Sequence, residues 1–150
     1  MISVKTVLVL ALVAGGGAGC AVVQPEPPTS PSLPASASLL GTTWIAFELE
    51  GQPVEGGDAH RQPSLVFSAD GDRVSGSTGC NRIAGPFTHQ GSALRFGMLV
   101  MTRMACVPDR STTENAFVAA IDATRSHTIE NRALVLRDDA GAVRMRLRTN

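Results

Sequence analysis

The chain has 150 residues, with 13 basic and 13 acidic side chains, a formal net charge of zero and only 4% aromatic residues. A balanced charge with no basic stripe and few aromatics argues against a nucleic-acid partner, and the length accommodates one ordinary domain with little to spare. Lys5 is the single lysine among 12 arginines, and without it the remainder carries about −1, so the chain is not steered by charge towards any polyanion.

In chain order, Lys5 comes first, followed by the apolar run Val7–Ala14 and small residues leading to Cys20. That run falls far short of the roughly 20 residues needed to span a bilayer. The triplet Gly15-Gly16-Gly17 would break a buried helix, so residues 1–19 read as a cleaved secretory signal. The stretch Gly17-Ala18-Gly19-Cys20 resembles the lipobox of bacterial lipoprotein precursors, with Gly17 standing where that pattern prefers Leu. The resemblance implies that Cys20 is the lipidation site and that the acyl chains hold the protein on a membrane. Ala21, in place of an aspartate, points to the outer membrane, facing the periplasm.

Residues 20–38 read as a lipid-anchored tether. Five prolines, several serines and the lone charge Glu26 leave too little apolar surface to offset the entropy of ordering. Residues 39–150 form the folded domain.

Within it, alternation dominates. Thr43–Leu49 opens the domain and carries the only tryptophan, Trp44. Ser64–Ser68 and Arg73–Ser77 flank Asp70-Gly71, a strong hairpin signal. Pro86–His89 and Ala93–Phe96 bracket Gln90-Gly91, and a further strand begins at Ile129. Ala133–Arg137 and Ala142–Arg148 enclose a turn at 138–141. In the last strand Val143, Met145 and Leu147 share one face and Arg144, Arg146 and Arg148 the other, which predicts a buried side and a solvated side. Phe87, Phe96, Met98, Leu99, Val100 and Met101 form the least alternating stretch. A buried strand is the expected reading of it, and an exposed docking patch is the other.

One helix interrupts the strands. Ser111-Thr112-Thr113-Glu114 reads as a capping box in which Ser111 and Glu114 satisfy backbone amides reciprocally. Phe117, Ala120, Ile121 and Thr124 then fall on one side at helical spacing. The expected fold is mainly β (α+β): a small antiparallel rolled sheet, barrel-like, with one helix packed on it.

Three cysteines in an exported chain leave one to explain. With Cys20 lipidated, Cys80 and Cys106 make a natural pair in an oxidising compartment. Closing a loop of about 27 residues would stabilise the fold by roughly 3.5 kcal/mol in the chain-entropy model. Two rivals stay open on these grounds: a metal site, although no Cys-x-x-Cys is present and His60, His89 and His127 are scattered, and a catalytic Cys80 beside Asn81.

Gly79-Cys80-Asn81-Arg82 followed by Thr102-Arg103-Met104-Ala105-Cys106 resembles the paired signature of the META domain, the family of HslJ-like heat-shock lipoproteins. Gly41-Thr42-Thr43-Trp44, Leu65-Val66-Phe67, Val74-Ser75-Gly76, Gly85-Pro86-Phe87 and Leu134-Val135-Leu136 agree in order, so the resemblance covers residues 40–148. It implies a β-rich, barrel-like fold with a helix, an association with the envelope and with stress or antibiotic tolerance, and no catalytic residue to carry over. The signature itself reads as architectural. Gly76 and Gly79 would let the chain turn tightly beside Cys80, Asn81 would hydrogen-bond locally, and Arg82 and Arg103 would need carboxylate or carbonyl partners if buried.

Searching for catalysis finds no nucleophile elbow, phosphate loop or His-Glu-x-x-His. The expectation is therefore a monomeric, non-catalytic accessory domain without a cofactor. Its membrane contact would run through Cys20, and its partner would be an envelope protein or glycan. The alternative is a barrel that binds a small molecule.

Overall fold

The computed structural model describes residues 37–55 and 61–149. Cys20, the signal, most of the tether and His60 lie outside the described residues. Ten strands and one helix follow in order: β1 Thr43–Leu49, β2 Gln52–Pro53, β3 Ser64–Phe67, β4 Arg73–Ser77, β5 Arg82–Gln90, β6 Ala93–Phe96, β7 Val100–Met101, α1 Pro108–Ala123, β8 Ser126–Glu130, β9 Ala133–Arg137 and β10 Val143–Thr149. All strand pairings are antiparallel, and they run β10-β9-β8-β6-β5-β4-β3-β1-β2, with β7 attached to β5. Pairing of β1 with β10 closes the series into a ring, and α1 packs against β1 and β10. The fold is thus a rolled antiparallel sheet with one helix, as the alternation predicts.

Strands β1, β3, β4, β9 and β10 sit within about one residue of their predicted limits, since period-2 alternation reports a sheet with one buried face. Two elements differ. β5 begins at Arg82, because the residues after the cysteine turn continue directly into pairing with β4 from Ser77↔Arg82 onward. β8 begins at Ser126 and turns into β9 through Asn131 and Arg132, both with positive φ (49° and 65°). That is the geometry of a two-residue type I′ hairpin built without glycine.

Trp44, Phe67, Phe117, Leu65, Leu94, Leu134, Leu136, Met145 and Leu147 are fully buried and fill the ring. The Trp44 indole donates to the Leu39 carbonyl (3.1 Å), which satisfies its one polar atom. Phe67 meets Phe87 edge-on with centroids 4.9 Å apart. On α1, Phe117, Ala120 and Ile121 face this core, and Thr124, the C-cap that follows, is buried as well.

Other expectations need correction. α1 starts at Pro108, a turn before the supposed capping box, and its N-cap is Val107 with no side-chain cap. Proline suits that first turn because its fixed φ is helical and its missing N–H has no partner there anyway. Ser111 lies inside the helix and its hydroxyl turns back to the Val107 carbonyl (3.5 Å). The arginine face of β10 is paired as well as wetted. Arg144 bridges Glu50 (2.9 Å) and Asp138 (3.9 Å), Arg146 meets Glu48 (3.3 Å), and Arg148 lies over the Phe47 ring.

The third correction concerns residues 98–101. Phe87 is buried, but Met98 is 89% exposed, Val100 68% and Met101 37%. Gly85 shows why. A Cβ at Gly85 would lie 2.7 Å from the Met98 carbonyl and from Leu99 Cδ2, so this segment crosses directly over β5. Leu99 tucks partly into the core at that crossing, and its neighbours in the extended chain then point outward.

Candidate functional site

The cysteine signature assembles where β4 ends. The chain turns through 78–81 and enters β5, and Gly79 takes φ +93°, a conformation that L side chains rarely adopt. Thr78 stabilises the turn from within: its hydroxyl accepts hydrogen bonds from the backbone amides of Asn81 (2.8 Å) and Cys80 (3.3 Å), while its own N–H donates to the Asn81 carbonyl (2.8 Å). Gly76 has a different part from the one predicted. It lies in β4, and an added Cβ would sit 1.9 Å from the Ser64 carbonyl, so it permits close approach of β3 and β4.

Asn81 is buried and its amide faces away from its own turn. The side-chain carbonyl accepts from the Thr102 hydroxyl (3.0 Å) and the Met104 amide (2.8 Å), and the amide nitrogen donates to both Glu114 carboxylate oxygens (3.2 and 2.9 Å). It also lies 3.5 Å from Cys106 Sγ. The expected local hydrogen bond of the Asn81 side chain is therefore replaced by long-range ones. A half-amide with two donors and two acceptor lone pairs suits this junction of three segments.

Cys80 and Cys106 form a disulfide with Cα atoms 6.0 Å apart. Thr102 and Arg82 exchange further bonds, the Arg82 amide to the Thr102 hydroxyl (3.0 Å) and the Thr102 amide to the Arg82 carbonyl (3.0 Å). Segment 102–106 is thus tied to the start of β5 by backbone, side chain and covalent bond. Arg82 and Arg103 are exposed, and neither side chain makes a hydrogen bond or ion pair among the described residues, so the condition that would demand a partner does not arise.

Sequence reasoning missed Thr78 and Glu114. The Thr78 hydroxyl donates to a Glu114 carboxylate oxygen, so Glu114 closes the cluster from the helix side. A signal for this existed: Glu114 falls three and seven residues before Phe117 and Ile121, on the same buried stripe. Catalysis needs a nucleophile or a base aimed at open space. Here the polar side-chain atoms of Thr78, Asn81 and Glu114 are taken up by one another and, at Asn81 Oδ1, by Thr102 and Met104.

Beside the cluster, Met104 and Val107 are 59% and 60% exposed, like Met98, Val100 and Met101 earlier in the same segment. A groove of about 880 Å³ runs between this rim and the outer faces of β3 and β4, lined by Val66, Ser75, Cys80, Ala84, Met101 and Met104 among others. No candidate membrane-spanning helix occurs among the described residues.

The META domain sequence model matches residues 37–150. No curated protein matches the chain. Among solved structures, an NMR structure of a protein from Burkholderia xenovorans superposes with a TM-score of 0.59 at 24% identity, covering 84% of this chain and 98% of that one. A second NMR structure gives 0.56 at 22% identity, covering 71% and 87%. The crystal structure of a DUF4847 family protein from Bacteroides vulgatus gives 0.54 at 15% identity, covering 75% and 94%. At these identities the likeness concerns the fold.

Proposed function

The chain belongs to the META domain family, and from that premise we propose that it is a non-catalytic accessory protein of the bacterial envelope. In this reading it is an HslJ-like lipoprotein anchored through Cys20 on the outer membrane and facing the periplasm. The domain contacts another envelope component, protein or glycan, and supports tolerance of stress or antibiotics. The observation that carries the reading is the exposed apolar rim of Met98, Val100, Met101, Met104 and Val107. Of these, Val100, Met101 and Met104 line one groove; apolar side chains gathered on a surface mark contact sites, and methionine adapts to irregular partners. Met104 is held in place by the disulfide and Asn81, which fix segment 102–106, and Val100 and Met101 by pairing with β5. A rigid contact surface loses less entropy on binding.

A small molecule bound in the interior or at the mouth of the strand ring is the second reading. In the interior it would have to displace Trp44, Phe67 and Phe117, each fully buried.

Photocrosslinking in intact cells tests the proposal, with a photoreactive residue at Val100 or Met104 and a control at the exposed turn residue Asp139. One dominant envelope adduct from the rim and none from the control is the expected result. Equal, scattered labelling from both positions would remove the adaptor reading. The anchor has its own test in the intact mass of membrane-extracted protein, where an unmodified Met1 terminus would contradict lipidation.

A further inference from the structure

All 13 acidic side chains lie outside residues 73–108, a stretch that carries four arginines, Arg73, Arg82, Arg95 and Arg103. None of the four side chains makes an ion pair or hydrogen bond among the described residues, whereas Arg144 and Arg146 on β10 are matched by Glu50 and Glu48. Register puts three of them on one surface. Arg73 lies opposite Pro86, Arg82 opposite Ser77 and Arg95 opposite Thr88. The residues that alternate with them, Val74, Ile83 and Leu94, are buried, so these arginines project from the outer face of β4, β5 and β6. On that face Val66, Ser75, Ala84 and Val100 pair in one row across β3, β4, β5 and β7. The row runs about 14 Å from end to end at a strand spacing of about 4.8 Å. It lines the groove of about 880 Å³, where Met101 and Met104 join it. Among the described residues of that lining, Arg82 is the one charged side chain and there is no aromatic ring.

Resting on the contact role given above to the apolar rim, we propose that this groove takes an acidic peptide segment of an envelope protein. The segment sets apolar side chains against Val66, Val100, Met101 and Met104. Its carboxylates meet Arg82 inside the groove and Arg103, which stands between the lining residues Thr102 and Met104. Arginine can engage both oxygens of a carboxylate at once. A cationic surface with no carboxylate of its own draws acidic partners and turns away basic ones, so the arginines set the choice of partner while the apolar contacts supply affinity. Other anionic components of the envelope suit the groove less. A flat bilayer surface would leave the hollow unfilled. A glycan would bring no apolar side chains to the methionines and would find no ring to stack on.

The test is photocrosslinking of the full chain in intact cells, with the photoreactive residue at Val66 or Val100, the two ends of the row, and at Asp139 as the control. Mass spectrometry of the digested adduct maps the labelled segment. One partner labelled from both ends, through a segment rich in aspartate and glutamate, is expected. Arg82→Glu combined with Arg103→Glu should cut the yield about tenfold or more, and changing the acidic residues of the mapped segment to lysine should restore it. Both arginines are exposed and unpaired, so the reversed chain should melt like the wild type. If it does not, Arg82→Gln with Arg103→Gln takes its place, and a several-fold loss of yield is expected. An adduct from Val100 alone, one through a neutral or basic segment, one to glycan, or one whose yield the arginine changes leave alone overturns the acidic-peptide proposal while the adaptor reading stands. Lipid adducts, no adduct, or equal, scattered labelling from all three positions removes both.

Discussion

Asn81 and Glu114 meet across 33 residues of chain, the amide of one donating to both carboxylate oxygens of the other at 3.2 and 2.9 Å. Through this pair the β4–β5 turn, segment 102–106 and helix α1 share one buried polar junction. Each partner left unsatisfied at such a site costs about 1–3 kcal/mol. Asn81→Ala strips the Thr102 hydroxyl, the Met104 amide and Glu114 of a partner at once, and is expected to destabilise the domain by about 2–4 kcal/mol. Asn81→Asp, which sets a second carboxylate against Glu114, should cost more than the alanine. Denaturant midpoints of the two variants measure both, and an aspartate variant as stable as the alanine one would refute the charge argument.

Gly76→Ala places a methyl 1.9 Å from the Ser64 carbonyl, a backbone atom that moves only if β3 moves. A loss of at least about 3 kcal/mol is expected, at the upper end of what single substitutions do. Gly91→Ala is the comparison. It sits at positive φ with open space around it, so only backbone strain of roughly 1 kcal/mol should register. Thermal unfolding of the pair separates collision from conformation.

Arg132 is held at φ +65° in the β8–β9 turn, after Asn131 at +49°. Replacing it with glycine removes the steric penalty of a left-handed L-residue while adding some freedom to the unfolded chain. Arg132→Gly is therefore expected to raise stability by about 0.5–1 kcal/mol, seen as a higher urea midpoint with an unchanged slope. A lowered midpoint would show that the arginine side chain contributes more than its backbone costs.

His127 is half-buried, with Nδ1 3.1 Å from the Ser92 carbonyl. Burial, aided by the charge of His89, holds its pKa below the ordinary 6.5, while the bond to Ser92 opposes the shift. A histidine that protonates more readily when unfolded favours the unfolded chain at low pH. Stability should accordingly be level above the ordinary value and fall as pH drops below it towards the lowered folded one. His127→Asn should flatten that part of the curve. Urea midpoints at about pH 7.5 and about pH 5.5, either side of the unperturbed histidine value, decide it. An identical decline in the variant would assign the loss to other groups.

Much of this architecture can be read from the sequence, for a physical reason. A rolled sheet with a filled interior imposes strict alternation, so Leu65 and Phe67, or Met145 and Leu147, announce their burial by spacing alone. The same logic fails where a local pattern has a distant cause. Ser111 and Glu114 match a capping box, yet Glu114 is drawn to Thr78 and Asn81, a tertiary attraction that no local spacing encodes. Met98, Val100 and Met101 read as core because apolar runs usually are. Their exposure follows from the crossing at Gly85, which holds Leu99 inward and thereby turns its neighbours out. The arginines of β10 read as solvated because their partners Glu48 and Glu50 sit almost a hundred residues earlier.

Closure of the ring by β1 and β10 has a consequence for how the chain acquires its shape. Trp44 pairs with Thr149 and Leu49 with Met145, so the first strand made waits for the last before one of its edges is covered. Such long-range pairing raises contact order and slows folding to the millisecond-to-second range. During synthesis, β1 would emerge with Trp44 and Leu49 uncovered and an open edge exposed to neighbouring chains. Whatever shields that strand until β10 arrives, whether early pairing with β3 or a holding chaperone, governs the yield of folded protein.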